Sequence, residues 1–156
     1  MSEKIRLGLT RNRLFEFDNC VGFLGETEEC FDIKECEKTL KTLSLKEPIL
    51  NCGIELCEDG EAYLVTEKKE VTIESFEGDK DTYLESINST GFDFSEKLFS
   101  FMIINRNTLG IFAHTVIADA RSLMYLAGEF MSIYKSKSIS VVPSATMLRL
   151  CFAQVR

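Results

Sequence analysis

The most apolar parts of the chain are residues 98–104 and 109–117, which are separated by the polar segment 105–108. An uninterrupted apolar run of this length is typical of a strand that is covered on both faces of its sheet. We therefore expect these two segments to be neighbouring strands at the centre of a sheet.

Three segments repeat apolar residues with the period of a helix, and these are residues 32–45, 79–90 and 119–135. Asp32 begins the first and Asp119 the third. Aspartate is a favoured N-cap because its carboxylate accepts backbone N–H groups. Pro48 and Gly91 are expected to end the first two helices.

Shorter segments with strand patterning complete the chain, and these are residues 14–24, 49–57, 62–66 and 71–76. Asp59-Gly60 between two of them predicts a tight hairpin. The resulting order, β-α-β-β-β-α-β-β-α, favours an α/β or α+β layered sandwich built on a mixed sheet with helices. Residues 1–136 are expected to form this unit, with 137–156 as a crossover or C-terminal tail.

Composition narrows the class of protein. The chain has 156 residues, of which 45% are hydrophobic, which suits one domain with a buried core. Its net charge of −7 makes general binding to nucleic acid unfavourable, because phosphate backbones would be repelled. We expect no membrane span, because no stretch approaches the roughly 20 apolar residues required, and no secretory signal at the N-terminus.

The chemistry-bearing residues exclude several kinds of site. The six cysteines include no C-x-x-C pair, and His114 is the only histidine, so no zinc site is expected. The cysteines sit mostly among apolar residues, which favours reduced thiols and a cytoplasmic location. Phosphate loops, dinucleotide fingerprints, nucleophile elbows and zincin motifs are missing from the sequence, so no tightly bound cofactor is expected.

Residues 112–122 contain the side chains best suited to catalysis or binding, and they allow two interpretations. In the first, His114 is a hydrogen-bonded histidine of the sheet and Asp119 is the N-cap of the next helix. In the second, the end of the strand is the edge of an active site, with a base and a charged group placed at a loop.

Residues 91–134 resemble the end of the N-terminal half of a nonribosomal peptide synthetase condensation domain. These domains belong to the chloramphenicol-acetyltransferase-like acyltransferases. The family pattern is an F-D run, a strand hairpin, the motif H-H-x-x-x-D-G and a helix. Here Phe92-Asp93 begins the run, residues 114–120 (HTVIADA) occupy the motif, and residues 122–134 correspond to the helix. The similarity in order extends over residues 14–136 and implies a chloramphenicol-acetyltransferase-like half fold.

The resemblance makes His114, Thr115 and Asp119 the candidate catalytic residues. In the family, the second histidine of the motif takes a proton from the acceptor, and Thr115 stands at that position. Threonine accepts no proton near neutral pH, so a general-base contribution of roughly 10²–10⁴-fold is expected to be missing. His114 matches the first, more structural histidine. Asp119 matches the motif aspartate and Ala120 the motif glycine.

The family fold also has a second lobe, which this sequence does not match. It has no Trp and therefore no D-F-G-W-G-like segment. The resemblance implies that the face of the reaction channel is exposed, and that partners are a second lobe, a carrier protein or another copy of the chain. It further implies an acyl donor of the acyl-CoA or phosphopantetheine-linked kind.

Three hypotheses for function follow. The first is a condensation-domain-like acyltransferase lobe, which transfers an acyl group from a pantetheine thioester to an amine or hydroxyl acceptor and is inactive alone. The second is a non-catalytic binding or interaction module derived from this fold. The third is an unrelated cytoplasmic α/β protein in which the motif occurs by chance.

Overall fold

The computed structural model describes residues 4–8, 20–66, 70–90, 97–137 and 148–149. In chain order, the elements are β1 (Lys4–Arg6), β2 (Cys20–Glu26), α1 (Ile33–Lys46), a 3₁₀ helix (Pro48–Asn51), β3 (Gly53–Leu56), β4 (Ala62–Val65), β5 (Ile73–Phe76), α2 (Lys80–Thr90), β6 (Phe99–Ile104), β7 (Thr108–His114), α3 (Ala120–Lys137) and β8 (Leu148–Arg149).

A five-stranded mixed sheet organises the fold, with the strand order β5-β6-β7-β2-β8. Strand β5 runs parallel to β6, and the other neighbouring pairs are antiparallel. Every residue of β6 and β7 is buried, and the two strands pair along their length with Phe101 opposite Ile111. The predicted central pair of strands is therefore confirmed.

The two faces of this sheet carry different layers because successive side chains of a strand point to opposite sides. On one side, which we call the α1/α3 face, Phe101 and Ile111 pack in one cluster with Leu40 of α1 and Phe130 of α3. On the other side, the α2 face, a smaller cluster contains Leu24, Met102, Ile104 and Phe112, against which Tyr83, Leu84 and Ile87 of α2 pack. This arrangement confirms the predicted layered sandwich.

A second, three-stranded antiparallel sheet has the order β1-β4-β3 and was not predicted. The hairpin within this sheet was predicted. Its turn is closed by the Cys57 N–H, which donates to the Glu61 carbonyl oxygen at 2.8 Å. Gly60 has a φ of 81°, which favours glycine because a side chain there would clash with the backbone. The predicted Asp-Gly hairpin is confirmed.

The predicted helices are present, and aspartate caps them. The Asp32 carboxylate accepts from the Glu35 N–H at 3.1 Å at the start of α1. Asp79 accepts from the Thr82 N–H at 2.9 Å at the start of α2. The predicted stop at Gly91 lies outside the described residues.

Three strand predictions differ from the structure in extent. Residues 49–51, predicted as strand, lie in the 3₁₀ helix instead, because Pro48 occupies its first turn, where a missing N–H costs nothing. The alternation also fails at Leu56, whose side chain is 58% exposed. The strand predicted for 109–117 ends at His114. The first strand was predicted at 14–24, and it is observed as Cys20–Glu26, while 14–19 lie outside the described residues.

Within the part of the chain that the structure describes, no helix has both the length and the apolar character that crossing a bilayer requires.

Candidate functional site

Strand β7 ends at a tight turn that leads into α3. The His114 carbonyl oxygen accepts hydrogen bonds from the Ile117 N–H at 3.1 Å and the Ala118 N–H at 3.3 Å. The Val116 N–H donates to the Nδ1 atom of the His114 ring at 3.1 Å. Backbone groups that a longer strand would offer to β2 or β6 are thus used within the turn, which is why the strand stops before Thr115.

His114 is fully buried, with 0% of its surface exposed. Because Nδ1 accepts the Val116 N–H, a ring proton is assigned to Nε2. The side chain shares the α2 face with Phe112, two residues earlier on the strand. This geometry matches the first interpretation of the sequence, in which the histidine is a hydrogen-bonded part of the sheet.

Asp119 is exposed and caps α3. Its Oδ1 atom accepts from the Ser122 N–H and from the Ser122 hydroxyl, both at 2.7 Å. These hydrogen bonds favour the carboxylate and hold the pKa of Asp119 below its usual value. The hydrogen bonds of this side chain are made to the first turn of its own helix, so its observed role is to begin α3 and orient the turn.

Thr115 follows the last strand residue and is half-buried. Its hydroxyl oxygen is buried and has no hydrogen-bond partner among the residues that the structure describes. A buried hydroxyl without a partner is unfavourable by about 1–3 kcal/mol. The position that the resemblance aligns with the base therefore holds a hydroxyl whose partner is not found among the described residues.

Cys20 lies beside His114, a neighbour that the sequence did not single out. The β2–β7 register pairs the two residues directly, and paired side chains in an antiparallel sheet share one face at close range. Burial raises the pKa of the Cys20 thiol to about 11. The thiol is therefore protonated near neutral pH, and protonated thiols are poor nucleophiles.

Tyr83 of α2 covers the same part of the sheet. Its ring centroid lies 5.9 Å from that of Phe112. Burial, with a smaller contribution from the negative charge of Glu74, raises the pKa of its hydroxyl to about 12. Strand register and helix docking place Cys20, His114 and Tyr83 on one face. Only the complete topology reveals this, since they are far apart in sequence.

A cavity of about 240 Å³ opens at the same end of the sheet, on the opposite, α1/α3 face. Phe99 lies in its wall, and the register partner of Phe99 is Ala113, the residue before His114. Leu50 and Val71 add apolar surface, while the Lys97–Glu74 ion pair, 3.2 Å apart, gives the cavity a charged side. Such a lining suits a ligand that has an apolar part and a polar part.

The described residues include no group of three or more His, Cys, Asp or Glu side chains arranged to hold a metal ion.

Comparison with known proteins identifies the fold. No protein-family model and no curated protein matches the sequence. Among solved structures, the starter condensation domain of the rhizomide synthetase RzmA superimposes with a TM-score of 0.72 at 9% identity, covering 92% of this chain and 40% of that one. Polyketide synthase associated protein 5 from Mycobacterium tuberculosis matches with a TM-score of 0.66 at 16% identity, over 85% of this chain and 33% of that one.

A protein designated CT also matches, with a TM-score of 0.67 at 13% identity, over 93% of this chain and 37% of that one. The chain has the fold of a condensation-domain lobe, and the predicted chloramphenicol-acetyltransferase-like half fold is confirmed. It spans 40% or less of the length of these three structures.

Proposed function

We propose that the chain forms one wall of a two-lobed acyl-transfer site of the condensation-domain type, and that on its own it binds an acyl thioester without turning it over. The donor is an acyl group on coenzyme A or on a phosphopantetheine arm, and the acceptor is an amine or a hydroxyl. The second wall is a partner lobe.

One observation carries the proposal: the turn between β7 and α3, which contains the motif-like residues 114–120, offers no group placed to accept a proton. His114 is buried with Nδ1 engaged. Asp119 caps its helix, and Thr115 is not basic. Binding and completion of a channel remain for these residues, because a general acid–base role needs an accessible group with a suitable pKa.

The second candidate is a non-catalytic module that docks a carrier protein or another lobe. The presence of threonine at position 115, where the related domains have a histidine base, also favours this second candidate. The two candidates differ in what the turn contacts: a thioester lobe contacts the pantetheine arm itself, whereas a docking module contacts only the protein that carries the arm.

Backbone amide NMR separates the two candidates. S-acetyl-pantetheine and, in a second titration, a pantetheinylated carrier protein are added to the 15N-labelled chain. The proposal expects the amide signals of Thr115, Ser122 and Leu123 to shift with S-acetyl-pantetheine alone. Shifts caused only by the carrier protein would establish the docking module, and an unchanged spectrum in both titrations would contradict both candidates.

Catalysis is tested by acyl transfer from S-acetyl-pantetheine to an amine, measured as the release of the pantetheine thiol. We expect no rate above the uncatalysed reaction for the wild-type chain or for Thr115→His, because one imidazole does not replace the missing wall. Turnover by the wild-type chain that is lost in His114→Ala would overturn this expectation. His114→Asn, whose amide oxygen can accept the Val116 N–H, controls for loss of the fold.

A further inference from the structure

An apolar cavity of about 220 Å³ lies between α3, strand β2 and the loop that follows β2. The lining residues come from these elements and from the start of β7, and they are Phe23, Gly25, Thr27, Phe31, Leu109, Met124, Ala127, Gly128 and Met131. The volume exceeds the roughly 150 Å³ of an engineered apolar cavity that stays dry and binds benzene. It is therefore large enough to hold a ligand.

The wall that β7 contributes to the cavity is distant from the motif. Leu109 in its wall and His114 lie at opposite ends of β7, about 17 Å apart at the usual rise of a strand. The two also lie on opposite faces of the sheet, since Leu109 belongs to the α1/α3 cluster. On α3 the lining comes closer to the turn, because Met124 follows Asp119 by five residues.

The shape follows from the spacing of the lining residues on α3. Met124 and Met131 are two helical turns apart, which spans roughly 10 Å along the helix axis. A volume of about 220 Å³ over that length corresponds to a mean cross-section of about 20 Å², close to that of one extended polymethylene chain. One extended alkyl chain that follows the helix axis would therefore fit this volume.

The lining offers a ligand no charge and few polar contacts. None of its described residues is charged. The hydroxyl of Thr27 is engaged with the carbonyl oxygens of Glu29 at 2.7 Å and Asn107 at 3.0 Å. A polar ligand would lose its hydrogen bonds to water without gaining partners, whereas a hydrocarbon chain has no hydrogen bonds to lose on entry.

Gly128 lies at the mouth of the cavity. It is exposed, lies inside an 18-residue helix, and a Cβ built on it meets no atom within 4 Å. Glycine is among the least favourable residues in the interior of a helix. Met124 beside it is 39% exposed, and methionine side chains adapt readily to flexible apolar ligands.

We propose that this cavity binds a single unbranched alkyl chain of about eight carbons, entering past Gly128. The polar end of the ligand remains in solvent at the mouth. A free fatty acid and an acyl thioester present the same chain, so the shared chemistry is the hydrocarbon. The inference goes beyond the proposed acyl transfer and does not depend on it.

The test uses calorimetric titration of the full chain with octanoate and with S-octanoyl-pantetheine, each compared with its acetyl counterpart. We expect binding of the octanoyl compounds at least tenfold tighter than of the acetyl compounds. Binding of both octanoyl compounds assigns the site to the chain alone, and binding of only S-octanoyl-pantetheine assigns it to acyl thioesters. Octanoyl ligands that bind no better than acetyl ligands would overturn the proposal.

Variants of α3 locate the site. Gly128→Leu fills the mouth and should weaken octanoyl binding at least tenfold, while Ser132→Leu, a matched change at an exposed position of the same helix, should leave it unchanged. Met131→Ala lengthens the cavity and should shift the preference from octanoate to decanoate. Unchanged binding in Gly128→Leu would contradict the proposal, whatever the acyl-transfer assay shows.

Discussion

The two faces of the five-stranded sheet differ in how completely they are covered. The α1/α3 face packs against two helices, and its largest side chains, such as Phe101 and Phe130, have no exposed surface. The α2 face packs against one helix, and residues such as Tyr83 and Cys20 remain partly exposed there. Stability is therefore concentrated on the first face.

The difference matters for function because the titratable neighbours of the motif lie on the thinner face. His114, Cys20 and Tyr83 share it, and the pKa values of the thiol and the phenol are raised by burial. The α1/α3 face instead contains the apolar cavity beside Gly128. One face thus places a protonated thiol and a protonated phenol on the side of the motif histidine, and the other combines the main core with a cavity.

The largest expected difference between the faces is in the cost of truncating an aromatic side chain. Phe130→Ala should lower the free energy of unfolding by about 3–5 kcal/mol, because it leaves a cavity in the fully buried core. Tyr83→Ala, on the thinner face, should cost roughly 1–2 kcal/mol, since less of the side chain is buried. Urea denaturation measures both. Equal costs would mean that α2 contributes as much to stability as α3 does.

Thiol labelling at pH 8 measures how closed each face is. Burial raises the pKa of Cys20 from 9.0 to about 11, which leaves about a hundredfold less thiolate to react. Burial raises the pKa of Cys36, on α1, to about 12. With iodoacetamide and peptide mass spectrometry, we expect exposed Cys30 to react first, then Cys20, then Cys36. Labelling of Cys20 as fast as Cys30 would show that the α2 face opens readily.

Local sequence signals predicted much of this fold. The central strands follow from continuous apolar runs, the N-cap at Asp32 from a carboxylate before an amphipathic helix, and the hairpin from Asp59-Gly60. Each of these signals acts over a few neighbouring residues, so no knowledge of the tertiary structure is needed to interpret it.

The features that escaped prediction depend on partners distant in sequence or on single hydrogen bonds. The end of β7 is set by the Val116 N–H, which turns back to the ring of His114, and an apolar pattern that continues to Ile117 conceals this. The contact of Cys20 with His114 requires the strand register. The cavity at Gly128 requires the docking of α3 on β2.

Alanine in place of glycine compares the mouth of the cavity, on the α1/α3 side, with a tightly packed position on the α2 face. Gly128→Ala should raise the free energy of unfolding by about 0.5–1 kcal/mol, because alanine has a higher helix propensity than glycine. The new methyl group would meet no atom within 4 Å. Gly110→Ala is the matched change on the α2 face, where a Cβ would lie 2.9 Å from the Phe112 ring, and it should destabilise. Thermal unfolding of both variants checks the signs, and destabilisation by Gly128→Ala would contradict the open mouth.

The smallest expected effect is on how the free energy of unfolding falls at acid pH. The aspartates that cap α2 and α3 can be compared there. Hydrogen bonds from Thr82 and Ser122 lower the pKa values of Asp79 and Asp119 below the usual 3.8. A lowered pKa contributes stability that is complete above the unfolded value and is lost as the pH falls through the folded value. Both carboxylates are exposed, so the contribution of each is small.

Asn retains the capping oxygen and removes the titration. Asp79→Asn and Asp119→Asn should therefore match the wild-type chain near pH 7 and lose less stability than it does between pH 5 and pH 2, as followed by urea midpoints. Because stability is concentrated on the α1/α3 face, Asp119→Asn should reduce the loss of stability at acid pH more than Asp79→Asn does. An acid limb identical to that of the wild-type chain in Asp119→Asn would mean that this carboxylate is not held by Ser122 in solution, and the turn that positions Thr115 would then lack its anchor.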